Sequence, residues 1–493
     1  MIELKQVSYS YLGETRENLK KIDLSIKKGE CVLLCGRSGC GKTTITRLVN
    51  GLIPNFFDGE LTGNIVVDKR NISDMHMYEI SAHVGSVFQN PRTQFFNVDT
   101  DSEIAFGIEN QALPPEKLHK RLKKTAEALN INHLLGRNIF RLSGGEKQKI
   151  AFASIYAMNP DIYLLDEPSA NLDMEAINDL KEQLHLIKKQ GKTILIAEHR
   201  IYYLMGLVDR IVYLENGKIA GNYTPQEFYG LKNDTRVRMG LRAMKLNRVH
   251  PLFKNSFNVA ASTALELKDV SLYYREKAIM EHIDIKAARG EIIGIVGHNG
   301  AGKTTFLRML CGLHKEYSGE LFWDGKAQNN KKRMKRSYMV MQDVNYELFA
   351  ETVETECSLG IKDPDRDLID RTLTDLDIAK YRKKHPNTLS GGQKQRVAVA
   401  VSVICKKEVL VFDEPTSGLD FDSMEQVGRL IKRLAEDKVV FVVTHDYEFI
   451  CRVCSRIIRF EHGIVTDDLQ VSYKNESRLH SILGVEEYID DQD

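Results

Sequence analysis

No stretch of the sequence approaches the roughly 18 apolar residues that a membrane-crossing helix needs, so the chain is not expected to span a bilayer. It also has no excess of one charge: 69 basic residues meet 68 acidic ones, leaving +1. The broad basic surface of a dedicated nucleic-acid binder is therefore excluded. Its eight cysteines are scattered through both halves without a disulfide framework, the pattern of a reducing compartment. Cys451 and Cys454 form a C-x-x-C with no second pair, which reads as two helix-packing thiols rather than half of a zinc site. Met1-Ile2-Glu3-Leu4-Lys5 starts on a strand-like pattern with no charged-then-apolar leader, and a cytosolic chain is expected. Two local basic runs remain, residues 331–336 and the set Arg236, Arg238, Arg242, Lys245 and Arg248. The first is expected to be a solvated loop and the second a solvated part of a linker, with contact to anionic lipid as the alternative for both.

What the chain does have is a phosphate cradle, twice. Gly36-Arg37-Ser38-Gly39-Cys40-Gly41-Lys42-Thr43 fits G-x-x-x-x-G-K-[ST], with apolar Val32, Leu33 and Leu34 leading in and helix-forming residues 44–50 leading out. A glycine turn between strand and helix leaves backbone N–H groups free to close around a polyphosphate at the positive end of the helix dipole. Lys42 is then placed to reach the β- and γ-phosphates of a bound nucleotide, and the Thr43 hydroxyl to join Mg²⁺. Gly36, Ser38, Gly39, Cys40, Gly41 and Thr44 complete this first nucleotide site. Gly297-His298-Asn299-Gly300-Ala301-Gly302-Lys303-Thr304, with Thr305, repeats it after the apolar run 292–296.

The repetition extends to the openings of the halves. Ile2-Glu3-Leu4-Lys5-Gln6-Val7-Ser8 matches Leu265-Glu266-Leu267-Lys268-Asp269-Val270-Ser271, which places Tyr11 opposite Tyr274. Each tyrosine lies about thirty residues before its phosphate loop and is a candidate adenine platform, with core packing as the alternative. The expected division is a first domain 1–230, a polar linker 231–263, a second domain 264–475 and an acidic, frayed tail 476–493 bearing Glu486, Glu487, Asp490, Asp491 and Asp493. Strand-like runs alternating with amphipathic helical stretches imply α/β units around a largely parallel sheet. Such sheets bind nucleotides beyond the carboxyl ends of their strands.

Downstream of the first cradle come Leu142-Ser143-Gly144-Gly145-Glu146-Lys147-Gln148 and Ile162-Tyr163-Leu164-Leu165-Asp166-Glu167-Pro168; the second half has Leu389-Ser390-Gly391-Gly392-Gln393-Lys394-Gln395 and Leu410-Val411-Phe412-Asp413-Glu414-Pro415. With these motifs the sequence resembles the ATP-binding cassette (ABC) ATPase family, over nearly all of both halves. The resemblance implies two tandem P-loop NTPase domains, each with a mainly parallel sheet core, an antiparallel β subdomain and a helical subdomain. It also implies that the two halves form an ATPase pseudo-dimer, in which Ser143, Gly144 and Gly145, or Ser390, Gly391 and Gly392, grip the γ-phosphate of ATP held by the opposing half. Asp166 and Asp413, ending apolar strands, are aimed at Mg²⁺; Glu167 and Glu414 are placed to polarise the attacking water. Gln89 and Gln342 resemble the glutamine that touches Mg²⁺, and His199 and His445 the histidine that steadies the γ-phosphate. Departures are Glu146 for the usual glutamine, and Glu198-His199-Arg200 where the second half has Thr444-His445-Asp446.

Lys42 to Gln89 spans 47 residues, whereas Lys303 to Gln342 spans 39, although Ser143 to Asp166 and Ser390 to Asp413 are both 23. The catalytic frame is constant and the face beside the glutamine varies. In the first half, Val87-Phe88-Gln89-Asn90-Pro91-Arg92-Thr93-Gln94-Phe95-Phe96 and Glu103-Ile104-Ala105-Phe106-Gly107-Ile108-Glu109-Asn110 resemble the energy-coupling factor (ECF) type of importer ATPase. Phe95 and Phe96 are expected to form an exposed apolar patch suited to a partner helix, with core packing as the alternative. The ECF resemblance implies a transmembrane coupling subunit and a small substrate-binding membrane subunit, uptake of a vitamin, a vitamin precursor or a transition-metal ion, and a place on the cytoplasmic face of the membrane. A soluble tandem ATPase and a sugar-type importer ATPase are the alternatives.

Overall fold

Apolar runs of five or six residues become strands buried on both faces. In the computed structural model, which describes residues 1–13, 17–170, 172–252 and 263–485, Cys31–Gly36, Ile162–Asp166 and Thr193–Ala197 are such strands. They are the centre of a six-stranded sheet in the order Lys218–Tyr223, Arg210–Glu215, Cys31–Gly36, Thr193–Ala197, Ile162–Asp166, Val84–Val87. All neighbours are parallel except the edge hairpin formed by the first two. Strands with alternating burial form the second layer, an antiparallel sheet of Leu19–Ile26, Ile2–Tyr11, Gly59–Val67 and Arg70–Asn71. Leu4, Val7, Ile45, Leu48, Leu195 and Val212 fill the core between these sheets and the phosphate-loop helix. A separate core, with Ile104, Ile150, Tyr163, Leu180 and Leu184, joins the parallel sheet to the helices Thr100–Glu109, Gly144–Met158 and Met174–Lys189.

The second unit repeats this plan. Its six-stranded sheet runs Ser337–Val340, Val409–Asp413, Val439–Val443, Ile292–Val296, Arg456–Glu461, Ile464–Gln470, and its antiparallel sheet Lys277–Ala288, Thr263–Tyr274, Tyr317–Trp323, Lys326–Ala327. The two compact units are residues 1–244 and 245–493. They contain the expected mainly parallel cores, antiparallel sheets and helical parts.

Four sequence expectations change. Residues 231–263 are not a continuous polar linker: Asn233–Arg238 is a helix, and Met239, Leu241, Ala243 and Met244 are buried in the first unit. Arg236 and Arg242 of the supposedly solvated basic set are buried, Arg236 because it donates to Leu241 O at 2.7 Å and to Asn233. The tail is helical over Glu476–Leu483, since Leu479 and Leu483 face inward; its acidic residues from Glu486 onward lie outside the described residues. Residues 331–336, expected as a loop, lie in the helix Asn330–Arg336 with Arg333 buried against Tyr317. Cys451 and Cys454 are buried free thiols at the end of the helix Tyr447–Val453.

The eight additional residues between Lys42 and Gln89 fall in two places. Gly63 and Gly319 are equivalent, each packed under a backbone carbonyl of the neighbouring strand (Gln6 and Asp269). Five additional residues precede Gly63, in the segment after the phosphate-loop helix that holds the short turn Leu52–Asn55. The other three follow Asp68, the counterpart of Asp324, where Ile72–Asp74 forms a 3-10 turn.

Candidate functional site

Each phosphate loop leaves its strand through a glycine that no other residue could replace without displacing backbone. Gly36 has φ 142°, and a Cβ there would sit 2.2 Å from Leu214 O; Gly297 has φ 141°, and its Cβ would sit 2.0 Å from Phe460 O. The loop can thus lie directly on the neighbouring strand and deliver its lysine to the start of the next helix, Lys42–Val49 or Lys303–Leu310. Lys42, buried, donates to Gly36 O at 3.1 Å and Arg37 O at 3.3 Å. Lys303 donates to Gly297 O at 2.5 Å and His298 O at 2.9 Å. Each ammonium is held inside its own loop by these carbonyls, in the loops that contain Gly36, Ser38, Gly39, Cys40 and Gly41, or Gly297, Asn299, Gly300, Ala301 and Gly302.

The carboxyl end of the strand two places along the sheet, Ile162–Asp166 or Val409–Asp413, brings the next groups in. Thr43 Oγ1 donates to Asp166 Oδ1 at 3.1 Å, and Thr304 Oγ1 to Asp413 Oδ2 at 2.8 Å. Burial, followed by the neighbouring Glu167 charge, raises the Asp166 pKa to about 7; burial also raises that of Asp413. A hydroxyl and a buried carboxylate side by side are hard oxygen donors, and this set fits Mg²⁺. Glu167 and Glu414 take left-handed backbone conformations, φ 46° and 52°, although neither is glycine. Their N–H groups donate to Ala197 O and Val443 O, which holds a turn that costs roughly 1–2 kcal/mol for an L residue. The same strained position recurs at both candidate bases, a feature that motif spacing alone could not reveal.

Around Glu167 the first unit closes a small network. Gln89 Nε2 donates to Glu167 Oε2 at 2.5 Å, and His199 Nε2 lies 3.4 Å from Glu167 Oε1 and 3.2 Å from Lys42 Nζ. Five predicted residues therefore converge: Lys42, Thr43, Gln89, Asp166 and Glu167, with His199 at their edge. In the second unit His445 Nε2 lies 3.7 Å from Glu414 Oε1, but Gln342 is exposed and makes no hydrogen bond to Glu414. The two glutamines are thus not equivalent.

The tyrosines diverge as well. Tyr11 packs edge-on against Tyr9 with ring centroids 4.8 Å apart, receives a hydrogen bond from Arg47, and its hydroxyl lies 3.3 Å from Thr44 Oγ1. Tyr274 is 59% exposed, with the Arg275 guanidinium over its ring at 5.7 Å.

Ser143 and Ser390 cap the helices Gly144–Met158 and Gly391–Ile404 in reciprocal boxes. Glu146 N donates to Ser143 Oγ, and Ser143 N donates to Glu146 Oε2 at 2.7 Å; Gln393 does the same work for Ser390. Burial acts to raise the Glu146 carboxyl, but the Ser143 N–H and hydroxyl and Arg137 hold it below the usual carboxylate range. Gly144 and Gly145, and Gly391 and Gly392, supply the free N–H groups of the first turn.

Three groups were missed or only half read in the sequence. Glu198, noted merely as a departure from threonine, is buried and accepts from His199 N, Arg200 N, Ser169 N and Tyr203 Oη. It fixes the loop bearing His199, as Asp446 does in the second unit by accepting from Thr416 Oγ1 and Phe449 N. Glu103 and Glu356 are buried in the first turns of the helices Thr100–Glu109 and Val353–Ser358. Glu103 Oε2 accepts from Phe96 N and Asn97 N, and Glu356 Oε2 from Phe349 N and Ala350 N. Glu103 opens one of the segments quoted above, where no role was read for it, and for Glu356 the sequence signal was an acidic residue in a helical first turn.

These clamps display a phenyl ring in each unit: Phe96 is 76% exposed and Phe349 74%. Phe95, expected beside Phe96 on the surface, is instead partly buried and packs against the core. Phe96 stacks on Phe106 at 5.0 Å, beside a cavity of about 300 Å³ lined by Leu52, Met77, Phe88, Ile155 and Met158.

Comparison with known proteins places these features in context. The profile of the family described as ABC transporter matches residues 19–170 and 280–417. A protein of Treponema denticola, provisionally named an ABC transporter ATP-binding protein, is 51% identical over 97% of this chain and 99% of its own length. One of the same description from Methanosarcina acetivorans is 33% identical over 95% of this chain and 90% of its own. Among solved structures, an RNase-L inhibitor superposes with a TM-score of 0.65 over 97% of this chain and 93% of that one; at 23% identity the likeness is one of fold.

Proposed function

The chain belongs to the ABC transporter family and is an ATPase, and on that premise we propose that its ATP hydrolysis powers import of a small molecule through partner membrane proteins of the ECF type. Vitamins, vitamin precursors and transition-metal ions are the substrate class. The partners are a transmembrane coupling subunit and a small substrate-binding membrane subunit, and the working place is the cytoplasmic face of the membrane. The observation that carries this reading is the continuity of the segment from Gln89 to Asn110. At one end Gln89 bonds to Glu167, and at the other the buried Glu103 holds exposed Phe96 at the mouth of an apolar cavity. Movement of a docked helix is thereby connected to the base that activates water.

The roles of the side chains follow from their positions. Lys42 and the loop N–H groups orient the polyphosphate, and the Lys42 charge offsets the negative charge that builds up as the γ-phosphoryl leaves. Thr43 and Asp166 would hold Mg²⁺, which neutralises phosphate charge. Glu167 takes the proton of the attacking water, and Gln89 orients that carboxylate by donating to it. His199, between Lys42 and Glu167, supports the γ-phosphate. Lys303, Thr304, Asp413, Glu414 and His445 have the same parts in the second unit.

Two measurements test the reading. Glu167→Gln with Glu414→Gln should retain ATP binding while turnover falls about 10² to 10⁴-fold, the usual loss of one general base; turnover above a tenth of the original would remove the base assignment. Phe96→Ala should leave ATP binding intact and strip the protein from membranes that carry its partners. Undiminished recovery with those membranes would place the anchor elsewhere, and a protein found wholly in the soluble fraction of its own cells would favour the soluble-ATPase alternative.

A further inference from the structure

The second unit carries a patch that the catalytic and docking features leave unused. From Lys326 to Arg336 the sequence holds six cationic side chains and no carboxylate, whereas the equivalent stretch of the first unit, residues 70–83, holds one arginine against Asp74 and Glu79. Within the helix Asn330–Arg336 the cations divide by chemistry. The arginines are committed: Arg333 is buried over the Tyr317 ring at 4.6 Å, and Arg336 is paired with Glu408. Asp324, the other carboxylate nearby, is bound by Arg289 at 2.8 Å. Lys331, Lys332 and Lys335 are exposed, as is Lys326, and among the described residues none of the four has a carboxylate within ion-pairing distance. At the end of the helix Lys407 Nζ adds another charge by donating to Lys335 O at 2.7 Å.

At 100° per residue Lys331 and Lys335 lie at the centre of the outward face, Lys332 and Met334 flank them, and Arg333 points the opposite way. Met334 is 50% exposed, an apolar tip set among lysines. In the first unit the corresponding positions are Tyr78, Glu79, Ser81 and Ala82, so the patch is not a requirement of the fold.

We propose that this face of the second unit, Lys326, Lys331, Lys332, Lys335 and Lys407 with Met334 at its flank, is a contact surface for anionic lipid headgroups. Lysines are compact, hydrated point charges suited to a diffuse anionic surface, whereas recognition of an individual carboxylate favours the planar fork of arginine, and the arginines here are already engaged, Arg333 inside and Arg336 with Glu408. Clusters of four to eight such cations on a helix bind acidic lipid surfaces, each contributing about fivefold. Met334 enters the boundary between headgroups and chains, as apolar residues of interfacial helices do. The surface is too weak to anchor the protein alone; it orients the second unit against the bilayer. It does not depend on any protein partner, so it stands or falls separately from the transport reading.

The test uses the full chain and lipid vesicles without membrane proteins. Vesicles of equal parts phosphatidylglycerol and phosphatidylcholine should sediment the protein at low salt, phosphatidylcholine alone should not, and raised salt should reverse the binding. Lys331→Gln with Lys332→Gln and Lys335→Gln should weaken binding about a hundredfold with ATP affinity and melting temperature unchanged. Lys117→Gln with Lys120→Gln and Lys124→Gln, which removes the same charge from exposed positions of the first unit, should leave it as it was. Met334→Gln should weaken it a few-fold. Equal loss in both triple variants, or equal binding to the two kinds of vesicle, would overturn the proposal. So would a lysine variant that binds vesicles normally but is lost from native membranes, which would assign the lysines to an acidic segment of a membrane protein.

Discussion

Asp166 makes the most direct prediction at the scale of single residues. Its folded pKa, about 7, lies above the ordinary carboxylate value because burial and the Glu167 charge disfavour its ionised form. A raised acid pKa means that the folded protein holds the proton more tightly than the unfolded chain does. This group therefore costs stability as pH rises from about 4 to about 7, the reverse of a salt-bridged carboxylate. A divalent cation binding beside Thr43 should expel that proton. Calorimetry with Mg²⁺ and a non-hydrolysable ATP analogue, in two buffers of unlike ionisation enthalpy, should show net proton release at pH 6 that vanishes by pH 8.5 and shrinks in Asp166→Asn. Phe95 and Phe96 form a second contrast. Phe95→Ala should cost about 2 kcal/mol in denaturant unfolding, since it is partly buried against the core, and Phe96→Ala close to nothing. Equal stabilities would mean that Phe95 is not packed as described.

Among elements, the helices at the signature motifs and at the end of the chain differ in what holds them. Gly144–Met158 is stabilised at its start by the Ser143–Glu146 box, so Ser143→Ala should cost about 0.5–1 kcal/mol in chemical denaturation. The low end applies because Glu146 still accepts from the residue 143 N–H. The helix Glu476–Leu483 depends on burial instead: Leu479 and Leu483 are inside, His250 Nδ1 lies 2.6 Å from Glu476, and the His250 ring stacks on Tyr473. Ending the chain after Asn475 should lower the stability of the second unit by about 3–5 kcal/mol, the burial of two leucines that is lost with the helix. A melting temperature unaffected by that truncation would return the segment to the status of a frayed tail. The short helix Asn330–Arg336 shows why such assignments fail from sequence: its lysine-rich string has no apolar periodicity, and it is held by an Asn329 cap and by one inward arginine.

For the molecule as a whole, each unit has its own sheets and cores, so residues 1–244 and 245–493 expressed separately should each fold and each bind ATP. A fragment that aggregates or lacks a cooperative melt would show that its core is incomplete. Much of this plan was legible in the sequence. Phosphate loops, buried strands and the strand-end Asp-Glu pairs are local patterns: apolar runs, glycines and fixed spacings determine them within a few neighbouring residues. They sufficed for the duplication, the α/β class, and the convergence of Lys42, Thr43, Asp166 and Glu167. The tertiary structure alone decided which of two adjacent phenyl rings faces out, that Gln89 reaches its glutamate while Gln342 does not, and that Glu103 and Glu198 are buried clamps. It also decided that the supposed linker and tail are partly packed. Some of those outcomes depend on distant partners, as where Gln89 meets Glu167 and Glu198 meets Ser169, and others on local loops whose shape is set by the core beneath them; a side chain's exposure or hydrogen bonds exist only once the chain has come together.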